Sequence, residues 1–217
     1  MNDNEILKSL RRTIIDGNPE DAIDLVNKAL TAKVDPKRIL NEAIIRGAEK
    51  VGLKYEKGEY YLADMLLAAD AINGSMDAIK PKLKEDTYKT PGKVLIGTPE
   101  GDLHSIGKSL VVALLQGQGL EVIDLGVDVP PEKFLETAKK ENVDIIGLSG
   151  LLTVTISKMT ETVTLLKREG IKAKIILGGG ILSDETCRRV GADAWAKDGW
   201  EGVKKIIKIL EDRKNAI

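Results

Sequence analysis

The 217 residues predict an α/β chain in which a small four-helix bundle precedes a doubly wound parallel sheet of five strands. Two observations carry this expectation. Apolar residues recur at helical spacing up to about Lys80, and beyond residue 92 short β-type apolar runs alternate with amphipathic helical stretches. Between them, residues 81–92 (PKLKEDTYKTPG) are polar, hold two prolines and a glycine, and show no apolar period. The segment therefore reads as a linker, dividing the chain into a helical domain over 1–88 and an α/β domain over 89–217.

The helices announce their own boundaries. The first runs near Asn4 to Asp16 and stops at Gly17. Asn18-Pro19 and Asp35-Pro36 each put a capping side chain before a proline at the first helical position, where the missing N–H costs nothing. They open the second and third helices. The third presents Ile39, Leu40, Ala43, Ile44, Ala48 and Val51 before a polar turn around Gly58. The fourth carries the stripe Leu62, Met65, Leu66, Ala69, Ile72, Met76 and Ile79 and ends at Lys80-Pro81. Short loops and inward stripes make a bundle.

Strands are expected at Val94 to Gly97, Glu121 to Leu125, Asp144 to Leu148, Lys174 to Leu177 and, more weakly, Ala194 to Ala196. Their alternation with helices implies a flavodoxin- or Rossmann-like parallel sheet, in which ligands bind beyond the carboxyl ends of the strands. Function should then lie in the loops that follow them.

Composition narrows the chemistry. Lys plus Arg number 33 against 34 Asp plus Glu, and aromatic residues make up 3%, so neither the basic footprint nor the stacking rings of a nucleic-acid binder are present. No apolar run reaches membrane-spanning length, and the N-terminus lacks a secretory signal pattern, so a cytoplasmic location without a membrane partner is expected. The single cysteine, Cys187, excludes an intramolecular disulfide and a cysteine-built metal site.

After the first strand comes Gly97-Thr98-Pro99-Glu100-Gly101-Asp102-Leu103-His104-Ser105-Ile106-Gly107-Lys108, a polar loop entering a helix at about Ser109 to Gln116 and containing the only histidine. A neutral imidazole ligates transition metals, and Asp102 could receive its other N–H and fix the tautomer. Alone, such a pair is more often a surface feature, and one histidine cannot build a protein zinc site, so a metal here would need a cofactor to bring its remaining ligands. After the third strand stand Ser149, Gly150, Leu151, Leu152, Thr153, Val154 and Thr155, a possible ligand approach or simply a helix cap. After the fourth stand Gly178, Gly179 and Gly180, where a ligand could lie against bare backbone or the chain could merely turn.

Taken together, the three loops resemble the B12-binding signature Asp-x-His-x-x-Gly, then Ser-x-Leu, then Gly-Gly. The intervals agree as well, with 41 residues between Gly107 and Ser149 and 26 between Leu151 and Gly178. Glu56 to Leu62 (EKGEYYL) and Leu67 to Ala71 (LAADA) resemble the helical cap of the same family. The chain thus resembles the corrinoid proteins of methanol, methylamine and methoxy-aromatic methyltransferase systems and the cobalamin module of methionine synthase.

That resemblance implies a cobalamin or related corrinoid, cycling through methylcobalamin and hydroxocobalamin forms, bound with its own lower base displaced. His104 becomes the axial ligand to cobalt, with Asp102 bonded to its ring. Thr155 stands where methionine synthase has a serine hydroxyl, a departure that keeps the hydroxyl and adds a methyl group. Leu103, Ser105, Ile106 and Gly107 complete the first loop of the binding site, Ser105 at a variable position of the signature. Ser149, Leu151 and Thr153, then Gly178, Gly179 and Gly180, accommodate the displaced tail. Tyr61 and Met65 shield the upper corrin face.

The implied role is a non-catalytic methyl carrier of one-carbon metabolism, methanogenesis or acetogenesis. Its partners would be a substrate:corrinoid methyltransferase, a corrinoid:pterin or corrinoid:thiol methyltransferase, and a reductive activase. Two alternatives share parts of the signature. One is the B12 subunit of an adenosylcobalamin-dependent mutase, against which the helical half argues. The other is a B12-sensing regulator, for which no residues remain to form a DNA-reading element.

Overall fold

The computed structural model describes residues 2–83 and 90–215. Two compact units emerge, Met1–Thr90 with Ala113–Leu120, and Pro91–Val112 with Glu121–Ile217. The expected boundary between residues 88 and 89 lies outside the described residues. Of the expected linker, Pro81 and Lys82 belong to a 3₁₀ turn over Lys80–Lys82, while 84–89 also lie outside them.

In the helical unit, α1 (Asp3–Ile15) opens on a capping box in which Asn2 and Glu5 satisfy each other's backbone N–H groups at 2.8 and 2.9 Å. The helix α2 (Pro19–Thr31) is capped by Asn18 as its Asn-Pro start predicts. The third expected helix is more complex than periodicity alone suggests. It begins as α3 (Pro36–Arg38), widens into a π-helix over Ile39–Ile45, and resumes as α4 (Arg46–Glu56). No proline or glycine marks the widening, which is why the sequence reads as one helix. All six apolar residues expected on its inner stripe are fully buried. At Gly47 a Cβ would lie 2.9 Å from the Ile14 side chain, so the close approach of α4 to α1 requires a glycine there.

The helix α5 (Leu62–Ile79) buries Met65, Ala69, Ile72 and Ile79 as expected. Leu62 departs from its stripe. It is the first helical residue, beyond the reach of the core, and is 52% exposed. Each fully buried leucine or isoleucine contributes about 1.5–3 kcal/mol of transfer free energy, so the bundle rests on this interior and not on helix propensity.

From residue 93 onward the chain alternates β1 (Lys93–Gly97), α6 (Ile106–Gly117), β2 (Glu121–Asp124), α7 (Pro131–Glu141), β3 (Ile145–Ser149), α8 (Thr155–Arg168), β4 (Lys174–Gly178), α9 (Asp184–Val190), β5 (Ala194–Ala196) and α10 (Gly199–Asn215), with the Ala113–Gly117 end of α6 counted in the first unit. The sheet is wholly parallel in the order β2-β1-β3-β4-β5, the flavodoxin-like arrangement whose topological switch falls between β1 and β3. All five strands fall within two residues of their expected positions.

Register sorts the strand side chains onto two faces. Leu95, Ile146 and Ile175 align with one another and pack with Phe134 of α7, Met159 and Val163 of α8 and Val190 of α9. On the opposite face Ile96, Gly147 and Ile176 align, beneath α6 and α10. The missing side chain of Gly147 leaves this second face recessed at its centre, where a Cβ would meet Ile96 at 3.2 Å.

Candidate functional site

The loop from β1 to α6 is laced to the loop after β2. Thr98 exchanges backbone hydrogen bonds with Gly126 and Val129 at 3.0 Å each, Glu100 N–H donates to the Val129 carbonyl at 2.9 Å, and Gly101 N–H donates to the Asp128 carboxylate at 2.8 Å. The fully buried Thr98 hydroxyl donates to the carbonyl of His104 at 3.1 Å. The histidine backbone is thereby held before any ligand arrives.

Asp102 is the hub. Its side chain is fully buried, and each oxygen has its own set of donors. Oδ1 accepts from His104 N–H at 2.9 Å and from the His104 ring Nδ1 at 2.7 Å. Oδ2 accepts from Leu151 N–H at 2.8 Å, Leu152 N–H at 3.3 Å and the Thr155 hydroxyl at 2.9 Å. Burial alone would raise the carboxyl pKa. The N–H groups of Leu151 and His104, then the His104 ring and the Thr155 hydroxyl, outweigh that effect and hold it well below the usual carboxylate range.

An ionised carboxylate has no proton to give, so Nδ1 is the donor and the lone pair of a neutral ring is left on Nε2. The His104 side chain is 52% exposed, whereas its partner is sealed. Among the described residues no group of three or more His, Cys, Asp or Glu side chains could hold a metal ion. A metal meeting Nε2 would therefore have to arrive with most of its ligands attached.

Beside the histidine opens a cavity of about 230 Å³, lined by His104, Gly107, Ser149, Leu151, Gly178, Gly179 and Gly180, and continued by Ile96, Gly147, Ile176, Val111, Gly202 and Ile206. It lies at the carboxyl ends of β1, β3 and β4 on the α6 and α10 face. Gly179 has φ of +142° and runs against the neighbouring loop so closely that a Cβ would fall 1.9 Å from the Gly150 carbonyl oxygen. Any side chain there would displace backbone, so the close passage of the two loops depends on that glycine.

Two family models, each described as a B12 binding domain, match residues 92–205 and 6–80. The chain belongs to the B12-binding corrinoid proteins. Dimethylamine corrinoid protein 1 of Methanosarcina acetivorans is 35% identical over 213 residues, covering 97% of this chain and 100% of the relative. A cobalamin-binding protein from Desulfitobacterium hafniense, known from a crystal structure, is 35% identical with a TM-score of 0.73, covering 94% of this chain and 98% of that one. The methanol:cobalamin methyltransferase complex of Methanosarcina barkeri matches with a TM-score of 0.85 at 28% identity, over 95% of this chain and 80% of that one.

The residues present fit a corrinoid. A tautomer-fixed Nε2 faces outward. Around it Leu103, Ile106, Leu151, Leu152 and Val154 are apolar yet 39–71% exposed, surface that a macrocycle could cover. Next to it the glycine-walled cavity offers room for a tail.

Seven of the expected corrinoid-binding residues line that cavity, and Asp102 and Thr155 stand behind His104. Leu103, Ser105, Ile106 and Thr153 are exposed and lie outside the lining. In the helical unit Tyr61 is 72% exposed and Met65 fully buried. Gly147 and Gly202 join the lining without any expectation from the sequence, which likewise assigned no role to Lys108, whose ammonium meets both oxygens of Asp124 at 2.6 and 2.5 Å. A glycine within an apolar strand was a legible signal for Gly147. Nothing in the sequence joins Lys108 to Asp124.

Proposed function

We propose that this chain holds its corrinoid with His104 Nε2 as the lower axial ligand and carries methyl groups between a substrate:corrinoid methyltransferase and an acceptor methyltransferase. The observation that carries the reading is the buried Asp102 fixing the His104 ring at 2.7 Å beside a cavity suited to a displaced tail. The methylamine and methanol relatives support it by their similarity along nearly the whole chain.

When bound, the cobalt centre supplies the methyl-accepting and methyl-donating chemistry. The chain's own residues set its terms. Asp102 holds the proton on Nδ1 and keeps Nε2 aimed outward, while Thr155 and the N–H groups of Leu151 and Leu152 hold Asp102 in place. Ser149 and the glycines of 178–180 receive the tail, and the exposed leucines and Ile106 support the ring.

The helical unit serves as the shield for the upper face. Tyr61 presents an exposed ring for that purpose, whereas Met65 would have to leave its buried position to take part. The donor- and acceptor-specific methyltransferases dock in turn, a reductive activase restores the carrier, and the exchange takes place in the cytoplasm.

The test is methyl loading. Protein reconstituted with hydroxocobalamin, reduced without oxygen and treated with a labelled methyl donor should retain about one methyl group per chain through gel filtration and release it to an acceptor methyltransferase. Turnover only with adenosylcobalamin, and no retained methyl, would overturn the proposal.

A further inference from the structure

We propose, resting on the corrinoid reading above, that the tail cavity selects a corrinoid whose lower base is of the benzimidazole class over one whose base is adenine. The argument lies in how polarity is distributed along the cavity. Of its polar side chains, His104, Ser149, Lys197 and Asp198 are half-buried or exposed and keep access to water. The buried lining is Ile96, Ile176, Leu177, Ala196 and Ile206, at most 4% exposed, with glycine backbone between.

One buried polar side chain reaches that lining, Lys108, and its ammonium is committed to both oxygens of Asp124. An ammonium has three donors and no acceptor. With two bonds directed to Asp124, it can offer one more N–H and accept nothing. No side chain of the buried lining can accept a hydrogen bond.

Adenine would bring several ring nitrogens and an exocyclic amino group into this space, and the amino group would find no side-chain acceptor. A dimethylbenzimidazole displaced from cobalt brings one ring nitrogen needing a donor, and its remaining edge is hydrocarbon. With only backbone groups of the glycine loops left to pair its extra polar atoms, the adenine form should bind about 10- to 100-fold more weakly.

The test is competitive binding to the whole apo chain of cobalamin, its adenine analogue and tail-less cobinamide. All three are held in the cobalt(I) state, where the metal keeps no lower ligand and neither base has to be displaced before binding. The expected order is cobalamin tightest, the adenine form about 10- to 100-fold weaker, and cobinamide weaker than cobalamin. Equal or tighter binding of the adenine form would overturn the selectivity. So would cobinamide binding as tightly as cobalamin, since the base would then not occupy the cavity. If none of the three bound, the corrinoid reading would fall and the selectivity with it, a result distinct from either of the others.

Discussion

Replacing His104 with alanine is expected to leave the chain folded while weakening its hold on cobalamin by about a hundredfold and shifting the visible spectrum of what remains bound. The separation of the two effects follows from burial. The imidazole is half exposed, but its ring N–H is one of the donors to buried Asp102, so its loss should lower folding stability by about 1–2 kcal/mol and leave the chain folded. Cobalamin binding would persist weakly through the cavity and the apolar rim. Reactivation after oxidation should slow, because no residue remains to replace the ligand. A variant with an unchanged spectrum would remove His104 from the cobalt.

Asp102→Ala should do the opposite, striking the fold and the site together. The carboxylate is fully buried and receives the backbone N–H groups of His104, Leu151 and Leu152, the Thr155 hydroxyl and the His104 ring. Alanine leaves several of these donors buried without an acceptor, and the expected loss of stability is about 3–5 kcal/mol, read from urea unfolding of the apoprotein. Asp102→Asn separates the contributions. Its amide keeps the volume, but whichever side its NH₂ faces, it meets a group that was donating. Part of the stability should return, while cobalamin affinity stays about 10- to 100-fold below the parent because the tautomer is no longer enforced. A parent-like Asp102→Ala protein would show that the hub holds neither loop.

The contrast between these variants shows what the sequence could reveal. Asp102, His104, Ser149 and Gly178-Gly179 were legible because chemistry and spacing coincide in three loops, and the strand-helix alternation placed those loops at one end of the sheet. That a single carboxylate binds two of the loops was not legible beyond the His104 and Thr155 contacts. The donors from Leu151 and Leu152 are backbone groups, which every residue except proline carries. Lys108 and Asp124 lie 16 positions apart on different elements, and periodicity relates residues only within one element. The π-helix at Ile39–Ile45 escaped for a similar reason, since its apolar pattern also satisfies an α-helix. Leu62 was misplaced because a helical stripe does not show where the core beneath it ends.

The proposed bond between His104 Nε2 and cobalt can be tested directly, because His104 is the only histidine in the chain. Protein grown with nitrogen-15 histidine and loaded with cobalamin in the cobalt(II) state should show electron paramagnetic resonance lines split into doublets by one nitrogen-15 nucleus, where unlabelled protein gives triplets. Triplets that persist in the labelled protein, or lines without nitrogen splitting, would mean that the cofactor keeps its own base or has no lower nitrogen ligand, and would contradict the assignment of His104.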